Sequence, residues 1–144
     1  MRSWTDKQVA SHLAFLPSIP IAIFYQDPPF WEPLFFIIPL IVLSTLYHRY
    51  HEPVGSSLAR VELCSAFLLY GYGCAQLSNS PSFTSLLVCG SCCIATSTVY
   101  VLTNPLVQKL DWDDWHYVGM HLVPGVWACA VALLNEPLFP ISEL

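Results

Sequence analysis

Leu34-Phe-Phe-Ile-Ile-Pro-Leu-Ile-Val-Leu-Ser-Thr-Leu-Tyr-His-Arg-Tyr50 is an apolar run that ends in polar residues. The run is apolar from Leu34 to Leu43 and then carries Ser44 and His48 before Arg49 ends it. Its length falls within the ~17–25 residues that cross a bilayer as a helix. On a helix, positions four apart share one face, so Ser44 and His48 point the same way. A histidine inside a membrane-length segment is costly unless it faces protein, water or a metal, which makes it a functional candidate.

The rest of the chain follows this pattern. It has 144 residues, 55% hydrophobic and 10% charged, against roughly 25% charged in soluble domains. Five apolar segments occupy about 9–25, 34–50, 58–77, 83–102 and 115–134, which predicts an all-α, multi-pass transmembrane bundle of about five helices in one domain, 1–144. Most of the twelve prolines fall in connections, where they punctuate rather than break helices. Pro17 and Pro20 interrupt the first segment, and no small-residue cleavage site follows it. It therefore reads as a retained, kinked helix rather than a signal peptide.

Charge placement orients the bundle. Arg2, Lys7, Arg49, Arg60 and Lys109 all fall on one side of a five-span chain. The positive-inside rule then places the N-terminus in the cytoplasm. A formal charge of −5 excludes nucleic acid as a partner. Membrane lipids, and other membrane protein subunits, are the partners that this composition suits.

Six cysteines lie inside the predicted helices. Cys89-Gly-Ser-Cys-Cys93 reads as small apolar packing rather than a disulfide framework or metal site. Gly71…Ala75 and Ser91…Ala95 are small-residue faces suited to close helix packing.

The polar residues carry any chemistry. Ser44, His48, His51 and Glu52 cluster at the end of the second helix, and Glu62 lies one turn into the third. The loop between those helices puts His48 and Glu62 at similar depth. His116 and His121 open the last helix at the same side of the bundle. Five residues turn an α-helix by about 500°, leaving roughly 140° between those two rings. That spacing predicts one ligand, with His121 the better placed and His116 facing elsewhere. Pro124-Gly125 is expected to kink or loosen this helix. His12 has no partner in sequence and reads as structural or interfacial.

Leu13-Ala-Phe-Leu-Pro-Ser-Ile-Pro-Ile-Ala22, Leu43-Ser-Thr-Leu-Tyr-His48 with Glu52-Pro53-x-Gly55, and Arg60-Val-Glu-Leu-Cys64 resemble the CREST membrane proteins. The similarity is to the branch containing myomaker and the eighth-numbered transmembrane protein family. It covers about residues 11–75. The resemblance implies a seven-helix bundle with a hydrolase-like zinc site. That site would use a serine and a histidine of the second helix, an aspartate of the third and two histidines four apart on the seventh. Ser44 and His48 match the first pair. The aspartate position falls near Ser65, with only Glu62 close by. In one register of the last helix, His121 is followed by Gly125 where the second histidine would stand; in the other, the seventh helix is absent. The chain is about two helices shorter than the family pattern. The family's N-terminus lies outside, opposite to the charge count here.

Two functions compete. The first is a non-catalytic accessory or scaffold protein of a membrane assembly, suggested by the missing ligands and short loops. The alternative is a zinc-dependent lipid hydrolase acting on an amide or acyl ester. Zinc would be held by His48 and His121 with His116 or His51, with Ser44 and Glu62 as the catalytic pair. Neither a repeat architecture nor a pore ring supports a channel.

Overall fold

The computed structural model describes residues 6–26, 29–50, 53, 55–103 and 115–138, except for the side chains of Lys7 and Gln8. The described residues form an all-helical bundle of five helices. The first is built from three pieces, Lys7–Ala10, Ser11–Phe15 and Ser18–Phe24. The second is Glu32–Tyr50, the third Ser57–Ser78, the fourth Phe83–Thr103 and the fifth Tyr117–Leu134. Trp115 and His116 continue the fifth helix at its start.

Sequence explains the breaks. Proline lacks the amide hydrogen a helix needs; Pro17 stands at the break between Ser11–Phe15 and Ser18–Phe24, and Pro20 falls in the first turn of the latter piece. Ahead of them Ser11–Phe15 tightens into a 3₁₀ turn, with Leu16 N–H donating to the Leu13 carbonyl (3.0 Å). Ser18 Oγ caps the break by donating to the Phe15 carbonyl (2.6 Å). In the fifth helix, Tyr117–Leu122 widens into a π-helical turn in which Val123 N–H donates to the Val118 carbonyl five residues back. Pro124 follows at once. It cannot donate to the carbonyl four residues before it, and its ring crowds that carbonyl, so a wider turn relieves the ladder.

The second, fourth and fifth helices are long and apolar enough to cross a membrane; the third carries Arg60, Glu62 and Gln76, and the first is shorter. The outside of the bundle is apolar. Phe35, Phe67, Leu68, Ile94 and Val126 are all more than half exposed. The inside combines apolar side chains, among them Phe15, Phe30, Ile37 and Trp127, with buried polar ones: Ser11, His12, Ser44, Gln76, Thr96, His121 and Asn135. An apolar exterior around a core that holds polar groups is compatible with a bundle in a membrane.

The first and fifth helices run side by side in the same direction, Ser11–Phe15 against Tyr117–Leu122 and Ser18–Phe24 against Val123–Leu134. Glycine permits the approach. A Cβ on Gly125 would lie 2.7 Å from the Ala14 carbonyl oxygen. A Cβ on Gly73 would lie 2.7 Å from the Trp127 ring, and one on Gly119 would collide with Val99. Gly71, expected to sit in a packing face, has open space around it. The small-residue contacts therefore lie at Gly73, Gly119 and Gly125.

The end away from His48 is tied by a polar hub. Asn135 Nδ2 donates to the Gln76 carbonyl (3.0 Å) and to Gln76 Oε1 (3.1 Å), and Ser85 Oγ donates to Asn135 Oδ1 (2.5 Å). Gln76 Nε2 donates to Tyr72 Oη (2.9 Å), and Glu32 accepts from the Leu138 N–H (2.9 Å). Buried amides need such partners.

Candidate metal centre

A glycine turn places the two halves of the centre together. Gly55 has φ +95°, a backbone that side chains with a Cβ rarely adopt. Ser56 then caps the third helix, its hydroxyl accepting from Ala59 N–H (3.1 Å). Arg60 Nε donates to the Gly55 carbonyl (3.1 Å). The last turns of the second helix face the first turns of the third. Ser44 Oγ donates to Glu62 Oε1 across that junction (2.7 Å). The expected common depth of His48 and Glu62 rests on this turn.

His12 sits at the centre of the site. It is 1% exposed. Its ring centroid lies 3.9 Å from His121 and 5.2 Å from His48. Its Nδ1 donates to the Val9 carbonyl (3.0 Å), and its Nε2 lies 2.6 Å from Ser44 Oγ. A carbonyl only accepts, so Nδ1 carries the proton. The sequence reading gave His12 no partner; the structure sets its ring against the histidines of two other helices. The missed signal was available, because a histidine flanked by Ser11 and Leu13–Pro20 meets the same intramembrane rule as His48.

His116 and His121 both face the centre, their ring centroids 4.8 Å apart. His48 lies 5.3 Å from His116 and 5.4 Å from His121. The expectation that His116 faces elsewhere assumed an α-helix. The π turn closes over five residues instead of four, so positions five apart come back onto one face. His121 Nδ1 is 2.5 Å from Ser11 Oγ, which leaves Nε2 as the nitrogen to ligate.

The ligand nitrogens of His12, His48 and His121 lie within 4.8 Å of one another. Tetrahedral zinc with Zn–N near ~2.0 Å needs nitrogen–nitrogen edges of about 3.3 Å. The cluster could close on an ion by modest side-chain rotation. Backs of ligand rings are commonly held by a carbonyl or hydroxyl, as Val9 and Ser11 hold His12 and His121 here. The residues present therefore fit a metal ion, one ligand coming from each of the first, second and fifth helices.

Ser44 joins Glu62 to His12. It has one proton for two neighbours. Either His12 is doubly protonated and donates to Ser44, which donates to Glu62, or a protonated Glu62 donates to Ser44, which donates to His12. Both forms hold the same number of protons, and moving between them transfers one across the serine.

A cavity of about 1280 Å³ begins at these residues and runs to Tyr72, Gly73 and Pro33 near the other end of the bundle. Phe15, Ile37, Leu40, Ala66 and Trp127 form part of its wall.

Other sequence candidates lie apart. Ser65, at the family's aspartate position, donates to its own helix at the Val61 carbonyl (3.0 Å). Gly125, at the family's second histidine in one register, packs on Ala14. His51 and Glu52 lie outside the described residues. Comparison of the chain with family models, with curated protein sequences and with solved structures finds no match.

Proposed function

We propose that this protein is a metal-dependent hydrolase of a membrane lipid, with zinc as the metal. The observation that carries the reading is the convergence of His12, His48 and His121 beside the Glu62–Ser44 pair at the head of an apolar cavity. A bound divalent ion would supply Lewis-acid chemistry, polarising a carbonyl and activating water. The chain's own groups do the rest. Glu62 takes a proton at Oε1, and Ser44, bonded to that oxygen, passes it to the leaving group. Val9 and Ser11 fix the ring orientations. The apolar wall binds an acyl chain and keeps water from all but the head of the site.

The membrane setting supports this reading. Exposed Tyr50 and Trp115 lie at the histidine end, and exposed Tyr25 and Trp31 at the other, as aromatic residues gather at the two interfaces. The centre then lies near one interface, where the headgroup and chain of a lipid meet. Arg49 and Arg60 flank the same end, so the positive-inside rule turns it to the cytoplasm with the N-terminus. The CREST resemblance agrees with Ser44 and His48, which both stand in the centre. His12 takes the place of a ligand that the family pattern draws from its last helix.

A second reading rests on His116. A fourth histidine beside three ligands suits a closed, four-coordinate site, the arrangement of structural zinc. The protein would then be an accessory or scaffold subunit with a metal staple. Metal analysis of the detergent-purified chain, with lipid amide and ester hydrolysis assays, separates the two. Stoichiometric zinc with turnover supports the hydrolase, and stoichiometric zinc without turnover supports the staple. No zinc in the native chain, nor after reconstitution, overturns both.

A further inference from the structure

We propose that two serines set the metal affinity of this centre in opposite directions: Ser44 competes with the metal for His12, and Ser11 holds His121 ready for it. The inference rests on the three histidines being a metal site.

The ring nitrogens of His12 and His121 are engaged differently. His12 has both nitrogens engaged, Nδ1 with the Val9 carbonyl and Nε2 with Ser44 Oγ. Nδ1 is held by its own helix three residues back, so Nε2 is the nitrogen a metal must take. The Ser44 hydroxyl stands on that nitrogen, and metal entry breaks the 2.6 Å bond. His121 differs. Ser11 engages Nδ1 (2.5 Å), and Nε2 is the nitrogen left for ligation. Ser11 therefore orients the ring without blocking it. Released from His12, Ser44 keeps its bond to Glu62 (2.7 Å). In the metal-free chain Ser44 thus caps the vacant ligand and holds it in place.

The outcome is counter to the usual expectation that a polar neighbour of a metal site supports binding. Removing a hydrogen bond that must be broken on binding tightens binding by its net worth, about two- to tenfold. Removing one that orients a ligand weakens binding, by about tenfold or more.

The test is cobalt(II) titration of the full detergent-purified chain, read by visible ligand-field absorption. S44A is expected to bind about two- to tenfold more tightly, and S44T, which keeps the hydroxyl, to bind like the native chain. S11A is expected to bind more weakly, with S11T restoring affinity. In an H12A background S44A gives no gain, because the competed nitrogen is gone. Weaker or unchanged binding in S44A, or tighter binding in S44T, overturns the role of Ser44. Unchanged binding in S11A overturns that of Ser11. A native chain that binds no cobalt overturns the metal-site reading itself, which separates the two failures.

Discussion

The rings of His116 and His121 lie 4.8 Å apart although five residues separate them, a spacing an α-helix would turn to different faces. The π turn of Tyr117–Leu122 accounts for this. A π turn is one residue more than the α-helix around it needs. Deleting Val118 should therefore return the segment to α geometry, with the two histidines four apart and still on one face. Cobalt binding is expected to survive that deletion. Deleting Val126, in the regular part of the helix, turns the two ends against each other by about 100° and should abolish binding. Equal loss in both deletions would show that the wide turn is not what aligns the rings.

Helix approach at glycine makes a second prediction. Gly125 meets the Ala14 backbone, which cannot move aside as a side-chain end can. Gly125→Ala should push the first helix off the fifth, cost about 1–3 kcal/mol and weaken cobalt binding through displacement of His12. Gly71 has open space, so Gly71→Ala should be neutral or stabilising by up to about 1 kcal/mol from helix propensity. Thermal unfolding of the two variants in detergent checks the contrast.

These contacts mark where sequence reading succeeds and stops. Helical segments of apolar residues declare themselves by length, as in 34–50 and 83–102. Ser44 and His48 declare themselves by a four-residue spacing, and the depth shared with Glu62 by the loop at Gly55. The apolar setting of His12 marks it as a candidate, but its partners arrive from residues 44 and 121, and no local pattern encodes a contact between the first and last helices. His116 fails for a different reason. Its orientation depends on a π turn, and a helical wheel drawn at 3.6 residues per turn has no place for one. Likewise Gly71 reads as a packing residue and Gly125 as part of a kink, and only tertiary placement shows open space at the first and Ala14 pressed on the second.

The polar hub at the far end yields a third prediction. Asn135 satisfies Gln76 and Ser85 together, and all three side chains are buried. Asn135→Leu leaves Ser85 and Gln76 short of partners and should cost about 1–3 kcal/mol. The hub lies at the opposite end of the bundle from the histidines, so cobalt affinity of the folded variant should stay within twofold of native, as expected for independent sites. A large loss of affinity would mean that the two ends are coupled through the helices.

Chain binding and metal binding can be separated at the cavity wall. Ala66 lines the cavity and packs with Phe15, Ile37 and Leu40, about one turn beyond Glu62 on the third helix. Ala66→Phe places a ring where an acyl chain would leave the head of the site. The residue contributes no metal ligand. Cobalt binding should therefore be retained. Hydrolysis of long-chain lipid amides or esters should fall at least tenfold, consistent with the loss of several buried methylenes at ~0.8 kcal/mol each. Short-chain analogues, which end before the obstruction, should be turned over as by the native chain. The diagnostic quantity is the ratio of long- to short-chain kcat/KM, because misfolding lowers both together and a blocked channel lowers only the first. An unchanged ratio would mean that the substrate chain does not lie along this wall.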